Sequence, residues 1–206
     1  MEFADSELRD VCFQIVLYDS PKHFPKQQAA EGPIMRIVIP GGSGQVGTVL
    51  ARVFRADGHE VTVLSRSPEK EADARRLGAH EFVLTNKPGV LDTLAGRYDV
   101  ILDTISAKHD LTPVLNALRP HGSLVLVGAA PEPLEFSAMP LIFGARKIVG
   151  SLVGGVPETR EMLEHCGKHR ITSDIEMVNP DQINGAFDRT VRGDVKYRFV
   201  IDCTKF

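Results

Sequence analysis

The chain has 206 residues, 43% of them hydrophobic and 25% charged, with a net charge of −3 at neutral pH. That composition suits a globular protein with one substantial core, and it lacks the basic excess that would point to nucleic acid or to an anionic membrane surface. The apolar run from Val11 to Tyr18 is far too short to span a bilayer, and the opening MEFADSELRD is acidic where a secretory signal is basic, so the expected location is cytoplasmic.

Residues 1–34 join no regular pattern and read as an extension ending in a Pro-, Lys- and Gln-rich linker. From Met35 onward the alternation is regular. Strands are expected at Arg36 to Pro40, Val61 to Leu64, Glu81 to Leu84, Asp99 to Asp103, Ser123 to Val127 and Lys147 to Val153. Helices are expected at Gln45 to Ala56, Pro68 to Leu77, Val90 to Ala95, Leu111 to Leu118 and Pro140 to Ala145. Strands separated by helices imply an α/β fold, a Rossmann-like doubly wound parallel sheet of six strands with helices on both faces. Any ligand crevice lies at the carboxyl ends of its strands. Residues 35–155 would form this domain. Residues 156–206 would form a tail outside the sheet, with helices near Glu158 to His169 and Asp181 to Arg192 and strands near Asp174 to Val178 and Tyr197 to Asp202.

The first βαβ unit carries the chemistry. Gly42, Gly44 and Gly47 fit G-x-G-x-x-G between an apolar strand and an amphipathic helix. Glycines there let the backbone turn sharply, approach a pyrophosphate and pack the helix closely on the strand. The loop Gly41, Gly42, Ser43, Gly44, Gln45, Val46 and Gly47 is therefore the expected phosphate cradle, its free N–H groups and the helix dipole facing the anion.

At the end of the second strand an NAD site usually carries Asp or Glu, about 20 residues beyond the glycines, to hold the ribose hydroxyls. This chain instead has Ser65, Arg66 and Ser67, with Lys70 one turn later. Two hydroxyls and two cations suit a 2′-phosphate, so NADP is favoured over NAD. The structural alternative is that Ser67 only caps a helix beginning at Pro68, that Arg66 and Lys70 are solvated, and that Glu69 and Glu71 screen the site.

Cys12, Cys166 and Cys203 include no C-x-x-C pair and are expected to be reduced thiols. His59, in Gly58-His59-Glu60, reads as part of a polar turn rather than a zinc ligand. Asp103 ends an apolar strand, where it would either orient a ribose or initiate a turn. Lys108 and His109 read either as substrate-facing or, more often for such residues, as caps or decoration on an exposed helix start, and Lys196 and Arg198 as either phosphate contacts or alternating exposed positions of a strand.

From Ser65 to Cys203 the segments SRSPEKEADARRLGAHEFV, YDVILDTISAKHDLTPVLNALRPHGSLVLVGAAPEPL, LIFGARKIVGSLVGG and GDVKYRFVID resemble the cofactor-binding half of the medium-chain zinc-dependent alcohol dehydrogenases, in particular the cinnamyl alcohol dehydrogenase branch. The glycine-loop segment MRIVIPGGSGQVGTVLARVFRADGHEVTVLSR is similar to the opening of extended short-chain dehydrogenase/reductase proteins of the epimerase-like type. The first resemblance implies that Ser65, Arg66 and Lys70 hold the 2′-phosphate and that Thr104, Ile105 and Ser106 line the adenosine-side wall. It further implies that Gly128, Ala129, Ser151 and Val153 border the nicotinamide and that Arg198 reaches the cofactor from the tail.

The implied parent reaction is hydride transfer between the nicotinamide and an aldehyde or alcohol, on a zinc-bound substrate. The metal ligands belong to a separate domain ahead of the glycine loop. Only 34 residues precede Met35 here, with one Cys and one His, so the expectation is an NADP(H)-binding domain lacking the zinc catalytic domain, with no metal ligands of its own. The Tyr-x-x-x-Lys pair of the short-chain enzymes is likewise missing downstream of the glycines. Two other readings stay open: a non-catalytic NADP(H)-binding module or sensor, and a metal-independent epimerase-like reductase using Tyr98 or Ser106 as its acid. Without the catalytic domain the tail strands become candidate edges, which favours a homodimer.

Overall fold

The computed structural model describes residues 33–192 and 194–205; the extension up to Gly32, with Cys12, lies outside the described residues. Six strands form one sheet: β1 (Arg36–Pro40), β2 (Glu60–Ser65), β3 (Glu81–Leu84), β4 (Tyr98–Asp103), β5 (Leu118–Leu126) and β6 (Lys147–Gly150). Their order is β3-β2-β1-β4-β5-β6, and every neighbouring pair is parallel. This is the doubly wound arrangement expected from the alternating pattern. The order reverses between β1 and β4, and the carboxyl ends of those two strands open a crevice.

The strands are apolar because both faces are covered. On one face Ile37, Ile39, Val61, Val100 and Leu102 pack under α1 (Gln45–Ala56) through Leu50, Ala51 and Phe54. On the other, Val38, Leu64, Ile101 and Leu124 pack with Leu94, Leu111, Val114 and Leu115, the last two belonging to α3 (Thr112–Ala117). Within β1 the alternation of Ile37 and Ile39 against Val38 follows from the two-residue side-chain period of a strand.

Several boundaries differ from expectation for identifiable reasons. The helix expected at Pro68 to Leu77 splits into a 3-10 turn, Pro68–Lys70, and α2 (Glu71–Arg76). Val90 to Ala95 is a single 3-10 turn, Leu91–Leu94. Strand β5 starts five residues earlier than expected, at Leu118, which pairs with Tyr98 while Ser123 pairs with Val100. The intervening residues bulge out and carry Arg119 onto the buried Asp99, whose other oxygen accepts the Arg36 N–H at 2.6 Å. Strand β6 stops at Gly150 because β5 ends at Leu126; Ser151 N–H still donates to Leu126 O at 3.0 Å, and beyond it Leu152 and Val153 find no strand to pair with. Helix α4 (Met139–Gly144) precedes β6.

The tail comprises α5 (Val156–Lys168), β7 (Glu176–Val178), α6 (Ile183–Val191) and β8 (Phe199–Ile201). As expected it stays outside the main sheet: β7 and β8 form a separate parallel pair. Charged contacts fasten it to the main body. Asp174 meets Arg52 at 3.1 Å and Arg76 at 2.7 Å, and Lys196 meets Asp73 at 2.6 Å.

Candidate functional site: a nucleotide crevice at the β1/β4 switch point

The glycine loop leads from β1 straight into α1. Close packing explains its composition best at Gly47: a β-carbon there would stand 2.3 Å from the Gly42 Cα, closer than any side chain tolerates. Gly44 precedes the helix in an extended conformation, and the first turn carries neither an acidic residue nor a side-chain cap. The first bond to the helix entrance is Thr48 N–H to Gly44 O, at 3.0 Å, so the amides of Gln45, Val46 and Gly47 precede the helical ladder. Their orphan N–H groups, with the helix dipole behind them, suit an anion.

Strand β2 is tied to this loop by its last residue. The buried Ser65 hydroxyl lies 3.2 Å from the Ser43 hydroxyl and accepts the Ser67 N–H at 3.3 Å. The end of β2 and the glycine loop thus form one continuous rim. Arg66 and Lys70 are exposed on it. Glu71 does not screen them, because it is engaged with Arg75 at 2.9 Å. Ser67 makes no side-chain cap on the turn that follows, so the capping alternative for it is not met.

The opposite wall comes from β4 and β5. Thr104 crosses to β1, donating both its N–H (3.1 Å) and its hydroxyl (2.8 Å) to Pro40 O. Gly128 lies so close to Ile105 that a β-carbon would meet the Ile105 carbonyl oxygen at 2.4 Å. Ile105 is half-buried, while Ser106 and Ala129 are exposed at the rim. Ser151 is half-buried where β6 ends, and Val153 beyond it is 88% exposed.

Asp103 takes the turn-building of its two expected roles, and His109 departs from expectation. The Asp103 side chain is 2% exposed, faces inward and accepts the Ile105 N–H at 3.1 Å, so it builds the turn rather than waiting for a ribose. His109 is not surface decoration: its Nε2 lies 2.8 Å from Asp103 Oδ2, and its Nδ1 lies 2.8 Å from Ala107 O. An Asp ending an apolar strand with a His six residues on was the available signal, and it is too common a pair to single out unaided. Lys108 faces Glu135 at 2.8 Å.

Tyr98, considered above as an acid, is 2% exposed at the start of β4, the end of the strand remote from the crevice, and burial raises its hydroxyl pKa. From the tail, Tyr197 O accepts the Gln45 side-chain amide at the loop itself. Lys196 is committed to Asp73, a hydrogen bond that raises the Lys196 pKa and holds Asp73 below the usual carboxylate range. That pairing removes Lys196 as a phosphate contact. Arg198 is exposed beside these residues.

No three His, Cys, Asp or Glu side chains among the described residues gather so as to hold a metal, and these residues therefore do not fit zinc. His59 sits in its turn with Nδ1 accepting the Met35 N–H at 3.5 Å. Cys166 is buried against the Met162 sulfur at 3.7 Å, and Cys203 is exposed; both are free thiols. No helix among the described residues is long and apolar enough to cross a membrane. A nicotinamide nucleotide, by contrast, fits the cradle: the close glycine contacts, the uncapped helix start and the cationic rim converge on one crevice.

Comparison with known proteins agrees with this geometry. Residues 45–168 match the family described as zinc-binding dehydrogenase. Alcohol dehydrogenase 9 of Catharanthus roseus is 44% identical over 196 residues, which is 95% of this chain and therefore both sides of Ser65, and 53% of the relative. Among solved structures, a cinnamyl alcohol dehydrogenase from Sorghum bicolor superposes with a TM-score of 0.77 at 39% identity, covering 84% of this chain and 49% of the other. A Helicobacter pylori CAD complexed with NADP(H) gives 0.72 at 30% identity, covering 86% and 50%. The chain thus spans about half the length of the relatives it matches. By family match, fold and glycine-loop geometry together, the chain belongs to the zinc-binding dehydrogenase family, as a nucleotide-binding domain of the cinnamyl alcohol dehydrogenase branch.

Proposed function

We propose that this domain binds NADP(H) in preference to NAD(H) and, within a dehydrogenase, presents the nicotinamide to an aldehyde or alcohol substrate. The observation that carries the preference is the rim at the end of β2. Arg66 and Lys70 stand there exposed, with Ser65 locked to the phosphate loop through Ser43 and no carboxylate in the place where a ribose diol is usually held. Arg66 offers a planar fork for a 2′-phosphate and Lys70 a point charge. The amides of Gln45, Val46 and Gly47 take the pyrophosphate. Thr104, Ile105 and Ser106 wall the adenosine side, Gly128, Ala129, Ser151 and Val153 border the nicotinamide, and Arg198 approaches from the tail.

When bound, the nucleotide supplies the redox chemistry, exchanging a hydride at C4 of its nicotinamide with the carbonyl or alcohol carbon of the substrate. This chain's own contribution is to hold and orient it. The described residues gather no Lewis acid, so carbonyl polarisation is not assigned to any of them. The protein is read as acting in the cytoplasm, and a homodimer is the assembly that its exposed sheet edges favour.

Fluorescence titration with NADPH and NADH at one fixed salt concentration tests the reading. Tighter NADPH binding supports it, and equal affinities would remove the 2′-phosphate role of Arg66 and Lys70. Binding without turnover of any aldehyde or alcohol would favour the non-catalytic module. Aldehyde reduction that survives chelators would favour the metal-independent reductase.

A further inference from the structure

Asp103 is the hub that ties the β4 and β5 sides of the crevice's far wall together. Its backbone oxygen accepts the N–H groups of Val127 and Gly128, each at 2.9 Å, Oδ1 accepts the Ile105 N–H, and Oδ2 faces His109. The bonds of His109 dictate its proton count. The Ala107 carbonyl can only accept, so Nδ1 carries a hydrogen. Nε2 then faces a carboxylate oxygen at 2.8 Å, and two bare acceptors would repel at that distance. A further proton must lie between them, on the imidazole or on the acid. We propose that Asp103 and His109 share one proton that latches loop 104–110 against the end of β5, and that nucleotide affinity at the crevice depends on that proton. The second half of this statement rests on the nucleotide-binding reading above.

Little else charged acts there. At this end β1 offers Pro40 and β5 offers Leu126 to Gly128, none titratable, and neither α3 nor α4 carries a titratable residue. Lys108 is paired with Glu135, and Asp110 accepts the Thr112 N–H. Burial raises the Asp103 carboxyl above its usual range, which favours keeping the proton, while the Ile105 amide and His109 pull the other way. With the latch open, the pair is a carboxylate and a neutral imidazole, holding one proton fewer. Closure therefore takes up a proton, and rising pH must weaken both the latch and whatever binding needs it, by at most about tenfold per pH unit.

The test is an NADPH fluorescence titration of the whole chain at several pH values above about 7, where the 2′-phosphate, with a second pKa of about 6, is fully charged. Wild type is compared with Asp103→Asn and His109→Ala. The Asn amide accepts from Ile105 and donates to neutral His109, so it needs no shared proton. The expected result is affinity that falls with pH in wild type, stays flat in D103N, and is weak and flat in H109A. A D103N curve parallel to wild type, or H109A binding like wild type, would overturn the proposal. Imidazole 15N shifts of His109 over the same range read the latch without nucleotide: Nδ1 must stay protonated throughout while Nε2 reports the loss of the proton held between it and the carboxyl, and a free mixture of tautomers would overturn the latch. If wild type binds no NADPH while the shifts show the shared proton, the nucleotide reading has failed and the latch survives as a structural pair only.

Discussion

Gly47 and Gly42 pack backbone against backbone, with 2.3 Å between the Gly42 Cα and the place a Gly47 side chain would begin. Gly47→Ala must push the helix off the loop. Overpacking of this kind costs about 1–3 kcal/mol, so urea denaturation should show that loss. NADPH binding should fall by more than tenfold even where the variant is fully folded.

On the proposed reading, Arg66 carries the cofactor preference. Arg66→Gln should weaken NADPH about 10- to 100-fold, the worth of a charge-assisted contact of roughly 1.5–3 kcal/mol, and leave NADH unchanged. Parallel titrations measure the ratio, and a matching loss for both nucleotides would show that Arg66 touches no 2′-phosphate.

Phe54 fixes α1 on the sheet from a position that is 2% exposed. Phe54→Ala should cost about 3–5 kcal/mol, read as a lower midpoint in thermal or urea unfolding. Because α1 follows directly on the glycine loop proposed to hold the pyrophosphate, nucleotide should restore part of the lost midpoint.

The tail's attachment should be acid-sensitive. Asp73 and Asp174 both sit below the usual carboxylate range, Asp73 chiefly through its bond to Lys196 and Asp174 chiefly through its bond to Arg76. A depressed native pKa means stabilisation that is present above the unfolded value and lost as pH falls through the native one. Amide exchange across β7 and β8 should therefore accelerate below the ordinary carboxylate pKa while β1 and β4 remain protected. Simultaneous exposure of both sheets would show that these contacts do not set the tail's stability.

What could be read in advance was whatever depends on local pattern. The bounds of β1, β3 and α1 coincide with expectation because apolar spacing and flanking glycines punctuate them. The tail's separation from the sheet also follows from its position after six strands. What depends on a distant partner was not legible. Nothing near Leu118 reveals that β5 begins there, because Tyr98 recruits it from another strand. Nothing near Val153 reveals that β6 has run out of neighbour. The partnership of Lys196 with Asp73 exists only once segments 123 positions apart have been brought together, and that of His109 with Asp103, six positions apart, only once the loop between them has folded back.

The bonds from Thr104 to Pro40 join residues 64 positions apart. The intervening chain builds two other strands before β4 returns to lie beside β1, so the crevice is made at the closing of the longest loop in the sheet's first half. Such non-local closures come late, because their chain entropy is lost before any contact compensates. Nucleotide can then meet its site only in molecules whose two halves have already docked. Binding would report the end of folding, and added nucleotide should slow unfolding without hastening the early steps of refolding.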